Sequence, residues 1–126
     1  MADTQTLYDR AGGTPFFEAL VGRFYAGVAS DPALRPIYPE PDLAGAQHRL
    51  TLFLIQYWGG PATYDQERGH PRLRMRHAPF AIGAGERDRW LVHMRGAIAE
   101  MAPPAEIAEQ LERYFAMVAD AMRNRG

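Results

Sequence analysis

The ten residues Pro71–Phe80 read Pro-Arg-Leu-Arg-Met-Arg-His-Ala-Pro-Phe and contain one histidine, His77. Pro71 can begin a short helix because the first helical position needs no amide hydrogen. Pro79 ends it, since a residue that precedes a proline is disfavoured in the α region. The stretch therefore predicts a rigid, arginine-rich helical turn that presents a single imidazole, as an axial ligand of a bound metal centre requires.

On both sides of this stretch, apolar residues recur at helical spacing in four long segments. The segments run from Phe16 to Val28, from Ala46 to Trp58, from Trp90 to Met101 and from Ile107 to Met122. No run alternates with period two for long enough to predict a strand. Because only residues 102–104 join the last two segments, these must fold back on each other. The sequence predicts an all-α fold of two antiparallel helix pairs, in a single domain over residues 1–126.

The segment from Gly59 to Gly85 shows little helical signal, although it contains His77. Because the chain reaches His77 through a loop and not through a long helix, we expect this position to bind a ligand and not to pack in the core. Gly83 and Gly85 also flank the start of the helix that carries Trp90. Glycine has a low helix propensity, so we expect a weak first turn there.

Composition excludes several classes of function. The 126 residues include no cysteine, which excludes disulfides, thiolate zinc sites and cysteine nucleophiles. All 14 basic residues are arginine, which excludes Schiff-base chemistry on lysine. The formal net charge of −1 gives no general attraction to nucleic acid or to an anionic membrane. No apolar run is long enough to span a bilayer and no signal peptide is visible, so we expect a cytoplasmic protein.

Several further motifs carry a resemblance to a known family. They are Arg23–Ala26 (RFYA), Tyr38–Glu40 (YPE), Asp42–Ala46 (DLAGA), Gln56–Pro61 (QYWGGP), Arg68–Phe80 (RGHPRLRMRHAPF), Glu86–Asp88 (ERD) and Trp90. Together they resemble the truncated haemoglobins of group II, in register from Tyr8 to about Trp90, whereas the last helix agrees only in pattern. The resemblance implies a truncated globin fold, which is a two-over-two α-helical sandwich around haem b, with paired-glycine motifs at Gly12–Gly13 and Gly59–Gly60.

The resemblance implies that His77 is the proximal ligand of the haem iron. A neutral imidazole there can donate its second N–H to a backbone carbonyl one turn earlier, that of Leu73, which would fix the tautomer. The alternative of a surface or core histidine is disfavoured by the flanking motif. The remaining histidines, His48, His70 and His93, lack such a context and are expected to be surface or structural residues.

On the opposite, distal side the resemblance implies that Tyr25, Tyr38 and Trp90 donate hydrogen bonds to bound O2. Each offers one donor on a rigid ring, and a buried O–H or N–H needs a partner. The alternative is that these aromatic rings only fill a core. Ala46 stands where many globins place a distal histidine, which leaves the polar contacts to Trp90 and Tyr25.

The resemblance also implies which residues hold the haem. The apolar walls would be Leu50, Phe53, Leu54, Phe80, Ile82 and Met94, with Phe24 and Leu34 as weaker candidates that equally suit a core. Arginine pairs well with carboxylate, so Arg49 and Arg76 are candidates for the propionates, with Tyr64 as a hydroxyl partner. The arginine-rich segment can alternatively be a solvated surface. A nucleic-acid site is disfavoured because no exposed aromatic residues alternate with the arginines.

The expected function is binding of O2, and of other diatomic ligands such as nitric oxide and carbon monoxide, at a five-coordinate haem iron with slow release. Slow release suits transport poorly, so the second hypothesis is a redox enzyme that dioxygenates nitric oxide or reduces peroxide. No flavin or nicotinamide motif is present, and such an enzyme would need an external reductase. A haem-free interaction module and a zinc enzyme are weaker hypotheses, the latter because no H-E-x-x-H pattern occurs. The sequence leaves homodimer formation open.

Overall fold

A computed structural model describes residues 5–39, 41–69 and 82–123 of the chain. Within these ranges the chain forms α-helices, one short 3₁₀ helix over Arg35–Ile37, and no strand. The helices are α1 (Leu7–Ala11), α2 (Thr14–Ala29), α3 (Ala44–Tyr57), α4 (Thr63–Arg68), α5 (Ala84–Met101) and α6 (Ala105–Ala121). The prediction of an all-α fold with four long helices is confirmed. In the same ranges, no helix has the length and apolar character needed to cross a membrane.

The four long helices form two layers of two. Helix α2 contacts both α3 and α5, and α5 contacts α6. Ala102 adopts a left-handed conformation, with φ of 48°, and ends α5 so that the chain reverses into α6. The core lies between the layers, and its fully buried side chains include Phe17, Leu20, Val21, Phe24, Val28, Leu34, Leu54, Met94 and Leu111. The predicted two-over-two sandwich is therefore present.

Helix α4 contradicts the expectation of little helix between Gly59 and Gly85. Its six residues, Thr63–Arg68, are too few to show a helical period in the sequence. A tertiary contact helps to hold this helix instead: the Asp65 amide donates to the Gln56 side-chain oxygen at 2.9 Å. Such a contact from the preceding helix leaves no local trace in the sequence.

The glycine pair Gly59–Gly60 lets α1 pack against the end of α3. The Tyr8 amide donates to the Trp58 carbonyl at 3.0 Å. A Cβ on Gly59 would lie 2.4 Å from the Thr6 side chain, and Gly59 has φ of 104°. A Cβ on Gly60 would lie 2.6 Å from Ile55. Glycine is required here for both backbone conformation and close approach.

The first turn of α5 is reinforced against its two glycines by neighbouring charged side chains. The Glu86 carboxylate accepts the Gly83 amide at 2.7 Å. Arg87 forms an ion pair with Asp120 of α6 at 2.6 Å. These contacts offset the low helix propensity that the sequence predicts for this turn, and they hold the start of α5 against α6.

Gly27→Ala is expected to separate α2 from α5. A Cβ on Gly27 would lie 2.4 Å from His93 Nδ1, and His93 is held in place by a 2.7 Å contact with Asp31. Overpacking of this kind lowers the free energy of unfolding by about 1–3 kcal/mol, which urea denaturation measures. The control is Gly96→Ala in the exposed face of α5, where no atom lies within 4 Å of the new Cβ. If the two variants had equal urea midpoints, the close contact between α2 and α5 at Gly27 would be contradicted.

Candidate functional site

A largely apolar cavity that opens to solvent lies between α3, α5, α6 and the turn before α3. Its lining residues are Leu34, Ile37, Tyr38, Pro39, Leu50, Phe53, Leu54, Ile82, Glu86, Arg87, Trp90, Tyr114, Phe115, Val118, Ala119 and Met122. Most of these side chains are apolar or aromatic. A cleft lined mainly by apolar and aromatic side chains is typical of a site for an organic ligand or cofactor.

The three predicted distal donors lie in one aromatic cluster. The rings of Tyr25 and Tyr38 meet edge to face with centroids 5.6 Å apart. The ring centroid of Phe24 lies 4.9 Å from that of Tyr25 and 4.8 Å from that of Trp90. Phe24 therefore connects the two tyrosines to Trp90. Tyr38 and Trp90 line the cavity, whereas Tyr25 is buried next to Tyr38 and does not belong to the lining.

The predicted apolar wall is divided between the cavity and the core. Lining residues among those predicted are Leu34, Leu50, Phe53, Leu54 and Ile82. Met94, Ala46 and Phe24 are buried but do not line the cavity. Helix α3 therefore presents to the cavity the face that contains positions 50, 53 and 54.

Two of the predicted polar anchors, Arg49 and Tyr64, lie outside the cavity lining. Arg49 is partly buried on α3 and does not line the cavity. Tyr64 is buried outside the lining, and its ring packs edge to face on Phe53 with centroids 5.6 Å apart. Arg87, which the sequence analysis did not assign, lines the cavity while its guanidinium pairs with Asp120 at 2.6 Å. Arg87 is thus the guanidinium that the described residues place at the cavity.

Four predicted cofactor contacts, His77, Leu73, Arg76 and Phe80, lie outside the described residues, as does His70. Of the other histidines, His48 is exposed and lies 3.1 Å from Glu67. His93 is part-buried, and its Nε2 lies 2.7 Å from a carboxylate oxygen of the buried Asp31.

Helix α6 supplies a side of the cavity that the sequence analysis missed. The contributing residues are Tyr114, Phe115, Val118, Ala119 and Met122. Their spacing is that of one helical face, and the same spacing is produced by a face that packs on another helix. Periodicity alone therefore could not distinguish cavity lining from core.

Tyr114 provides a protonated phenol at this side. Burial, and then the neighbouring Tyr57, raise the pKa of Tyr114 above its usual range, and the two rings lie 4.3 Å apart. A tyrosine is protonated at neutral pH even without such a shift, so this O–H can act as a donor.

The cavity suits the haem that the resemblance implies. A porphyrin is flat, and most of its surface is apolar, as are the facing sides of α3 and α6. Tyr38, Trp90 and Tyr114 add polar hydrogens to this lining, and a few polar groups in an apolar pocket can orient a small ligand. Of the lining residues within the described ranges, only Glu86 and Arg87 are charged, so this part of the cavity wall matches such a group.

Comparisons with known proteins agree with this fit. The sequence profile of the family described as bacterial-like globin matches residues 6–124. The "Group 2 truncated hemoglobin YjbI" of Bacillus subtilis (strain 168) is 41% identical over 113 residues, which are 90% of this chain and 85% of that protein. A thermostable hemoglobin from Thermobifida fusca superposes with a TM-score of 0.94 at 58% identity, covering 95% of this chain and 98% of the other. A truncated oxygen-avid haemoglobin from Bacillus subtilis superposes with a TM-score of 0.90 at 39% identity, covering 95% and 100%. The chain belongs to the bacterial-like globin family and is a group II truncated haemoglobin.

Proposed function

We propose that the protein holds haem b and binds O2 and other diatomic ligands at a five-coordinate iron, with slow release. Family membership supports a haem cofactor and the binding of diatomic ligands. One structural neighbour is described as oxygen-avid. The observation that carries the proposal is the placement of Tyr38 and Trp90 on the wall of one largely apolar cavity.

Residues of two helices would hold the cofactor. Leu50 and Phe53 of α3 would contact the macrocycle from one side, and Phe115 and Val118 of α6 would contact it from another. These contacts would exclude water from the site. The bound haem supplies an iron centre that binds one diatomic ligand reversibly.

His77 would supply the axial imidazole, oriented by a hydrogen bond to the Leu73 carbonyl. Ile82, five positions after His77 in the sequence, belongs to the cavity wall. This short sequence separation supports the assignment. Arg49, Arg76 and the lining residue Arg87 would be the candidates for pairing with the propionates.

The distal donors would act on the rate of release. A net hydrogen bond is worth about 0.5–1.5 kcal/mol, and more when the acceptor carries charge. Every 1.4 kcal/mol corresponds to a factor of about ten in an equilibrium or escape rate. Donation from both the Tyr38 O–H and the Trp90 N–H would therefore slow ligand escape on the order of a hundredfold.

Dioxygenation of nitric oxide and reduction of peroxide, each with an external reductase, stay predictions of the sequence, as does a cytoplasmic location, and homodimer formation stays open. Rapid mixing of the oxygenated protein with nitric oxide addresses the first of these. Fast conversion to the ferric form would favour the redox function, and slow conversion would favour ligand binding alone.

Titration of the purified protein with haem tests the proposal, followed by stopped-flow release of O2 from the ferrous form. We expect a Soret band that saturates at one haem per chain. We also expect O2 release that accelerates when the Trp90 and Tyr38 donors are removed. If no Soret band appeared, haem binding would be contradicted. If the wild type released O2 as fast as the variant that lacks both donors, slow release would be contradicted.

A further inference from the structure

Outside the cavity, Asp31 is a buried carboxylate at the end of α2, with 1% of its side chain exposed. Its Oδ1 accepts the Ala33 amide at 2.8 Å and Arg89 Nε at 3.0 Å. Its Oδ2 accepts Arg89 Nε at 2.9 Å and lies 2.7 Å from His93 Nε2. A buried carboxylate needs such donors to offset the loss of water. The Arg89 hydrogen bond, against the opposing effect of burial, holds the pKa of Asp31 well below its usual range.

Asp31 organises the turn that leads to Tyr38. Its backbone carbonyl accepts the amides of Leu34 at 3.2 Å and Arg35 at 2.9 Å. The Arg35 guanidinium then donates to the Tyr38 carbonyl at 2.9 Å and to the Pro41 carbonyl at 3.0 Å. A continuous set of hydrogen bonds therefore runs from Asp31 to the backbone of Tyr38.

The bonds toward Tyr38 start from the Asp31 backbone carbonyl, whereas the Asp31 carboxylate fixes α5 on both sides of Trp90. Arg89 directly precedes Trp90, and His93 follows it by three positions. The His93 ring lies against the backbone of α2, where a Cβ on Gly27 would be 2.4 Å from it. Movement of this part of α5 relative to α2 would break the bonds of Arg89 and His93 to Asp31.

We propose that Asp31 is a positioning residue for the distal site: it fixes the Tyr38 phenol and the Trp90 indole relative to each other by bonding to both elements that carry them. The inference rests on the proposed function, since its consequence is a rate of ligand release. Hydrogen bonds weaken steeply with distance and angle. A small shift of either donor therefore accelerates release, although Asp31 does not line the cavity.

The test uses Asp31→Asn and Arg89→Gln in the haem-loaded ferrous protein. Arg89→Gln removes a side chain that is 53% exposed, so this variant is expected to fold even if Asp31→Asn does not. We expect O2 release to be faster by about threefold to tenfold, because each variant would lose part of the free energy of one hydrogen bond to the ligand. We also expect the C–O stretching frequency of the carbon monoxide complex to shift, because it reports donors near the ligand.

Two controls separate positioning from general destabilisation. Arg95→Gln removes another arginine of α5, one with no hydrogen bond or ion pair among the described residues, and should change neither readout. Ile107→Val lies in the buried start of α6, away from the cavity lining. It should lower the melting temperature and leave the C–O frequency at its wild-type value.

The outcomes distinguish this inference from the proposed function. A wild-type protein that binds no haem would overturn the proposed function. A wild-type protein that binds O2, together with an Arg89→Gln variant of unchanged release rate and C–O frequency, would overturn the role of Asp31 alone. A frequency shift in Ile107→Val as large as that in Arg89→Gln would also overturn it, since lost stability would then explain the effect.

Discussion

Replacement of His77 by alanine is expected to remove the ability of the protein to retain haem. An axial imidazole anchors the iron, and apolar contacts alone leave the macrocycle free to exchange. Loss of an outer hydrogen-bond partner of a metal ligand already costs about 10–100-fold in affinity, so loss of the ligand itself should cost more. The measurement is the ratio of Soret to protein absorbance after gel filtration of the reconstituted variant.

Two further experiments show whether the loss of haem is specific to the imidazole of His77. His48→Ala removes an exposed histidine that lies 3.1 Å from Glu67, and this variant should retain haem fully. Added imidazole should restore the Soret band of His77→Ala, since the free base can occupy the vacated position. Haem retention by His77→Ala with a wild-type ferrous spectrum would show that another residue holds the iron.

The double variant Tyr38→Phe with Trp90→Phe is expected to release O2 on the order of a hundredfold faster than the wild type, and each single variant about tenfold faster. Phenylalanine keeps an aromatic ring in both places and removes the O–H and the N–H. The ring at position 90 can keep its contacts to Phe24 and Phe115, now at 4.8 and 5.7 Å. Stopped-flow displacement of O2 by carbon monoxide measures the rates.

Trp58→Phe is the matched control for the loss of an indole N–H. Trp58 Nε1 is buried, has no hydrogen-bond partner among the described residues and belongs to a side chain that does not line the cavity. Its removal should leave O2 release unchanged. A double Tyr38 and Trp90 variant that releases O2 at the wild-type rate would show that these rings only fill space. Rate effects that do not add would reveal coupling between the two donors.

The four long helices were predictable because each presents a continuous apolar face over three or more turns. Helix α4 was not, since a six-residue helix shows no period and its amide at Asp65 is bonded to a side chain of α3. The first turn of α5 is a second case in which a contact distant in sequence decides the local structure. Its two glycines predict weakness, and the compensating partner of Arg87 is Asp120, 33 positions away.

Motifs predicted part of the cavity lining, whereas Tyr25 and Ala46, which also belong to motifs, lie outside it. Tyr38, Trp90, Leu50 and Phe53 belong to motifs or periodic positions of the resembled family, and all of them line the cavity. The lining face of α6 was missed because a helix that covers a cavity has the same apolar spacing as one that covers a core.

The cluster around Asp31 was unpredictable for a different reason. Arg89 and His93 are 58 and 62 positions from Asp31, and no local pattern marks a contact at such a separation. The local sequence shows only a turn, Asp31-Pro32, and a lone histidine on a helix. The carboxylate becomes recognisable as an anchor of both distal elements only when α2 and α5 are brought together.

We propose that His77 would hold the haem iron and leave it able to bind a diatomic ligand next to Tyr38 and Trp90. The resonance Raman spectrum of the ferrous, ligand-free protein tests it most directly. We predict a five-coordinate, high-spin spectrum with an iron–imidazole stretching band that disappears in His77→Ala. A six-coordinate, low-spin spectrum, or a stretching band that persists in His77→Ala, would contradict the account.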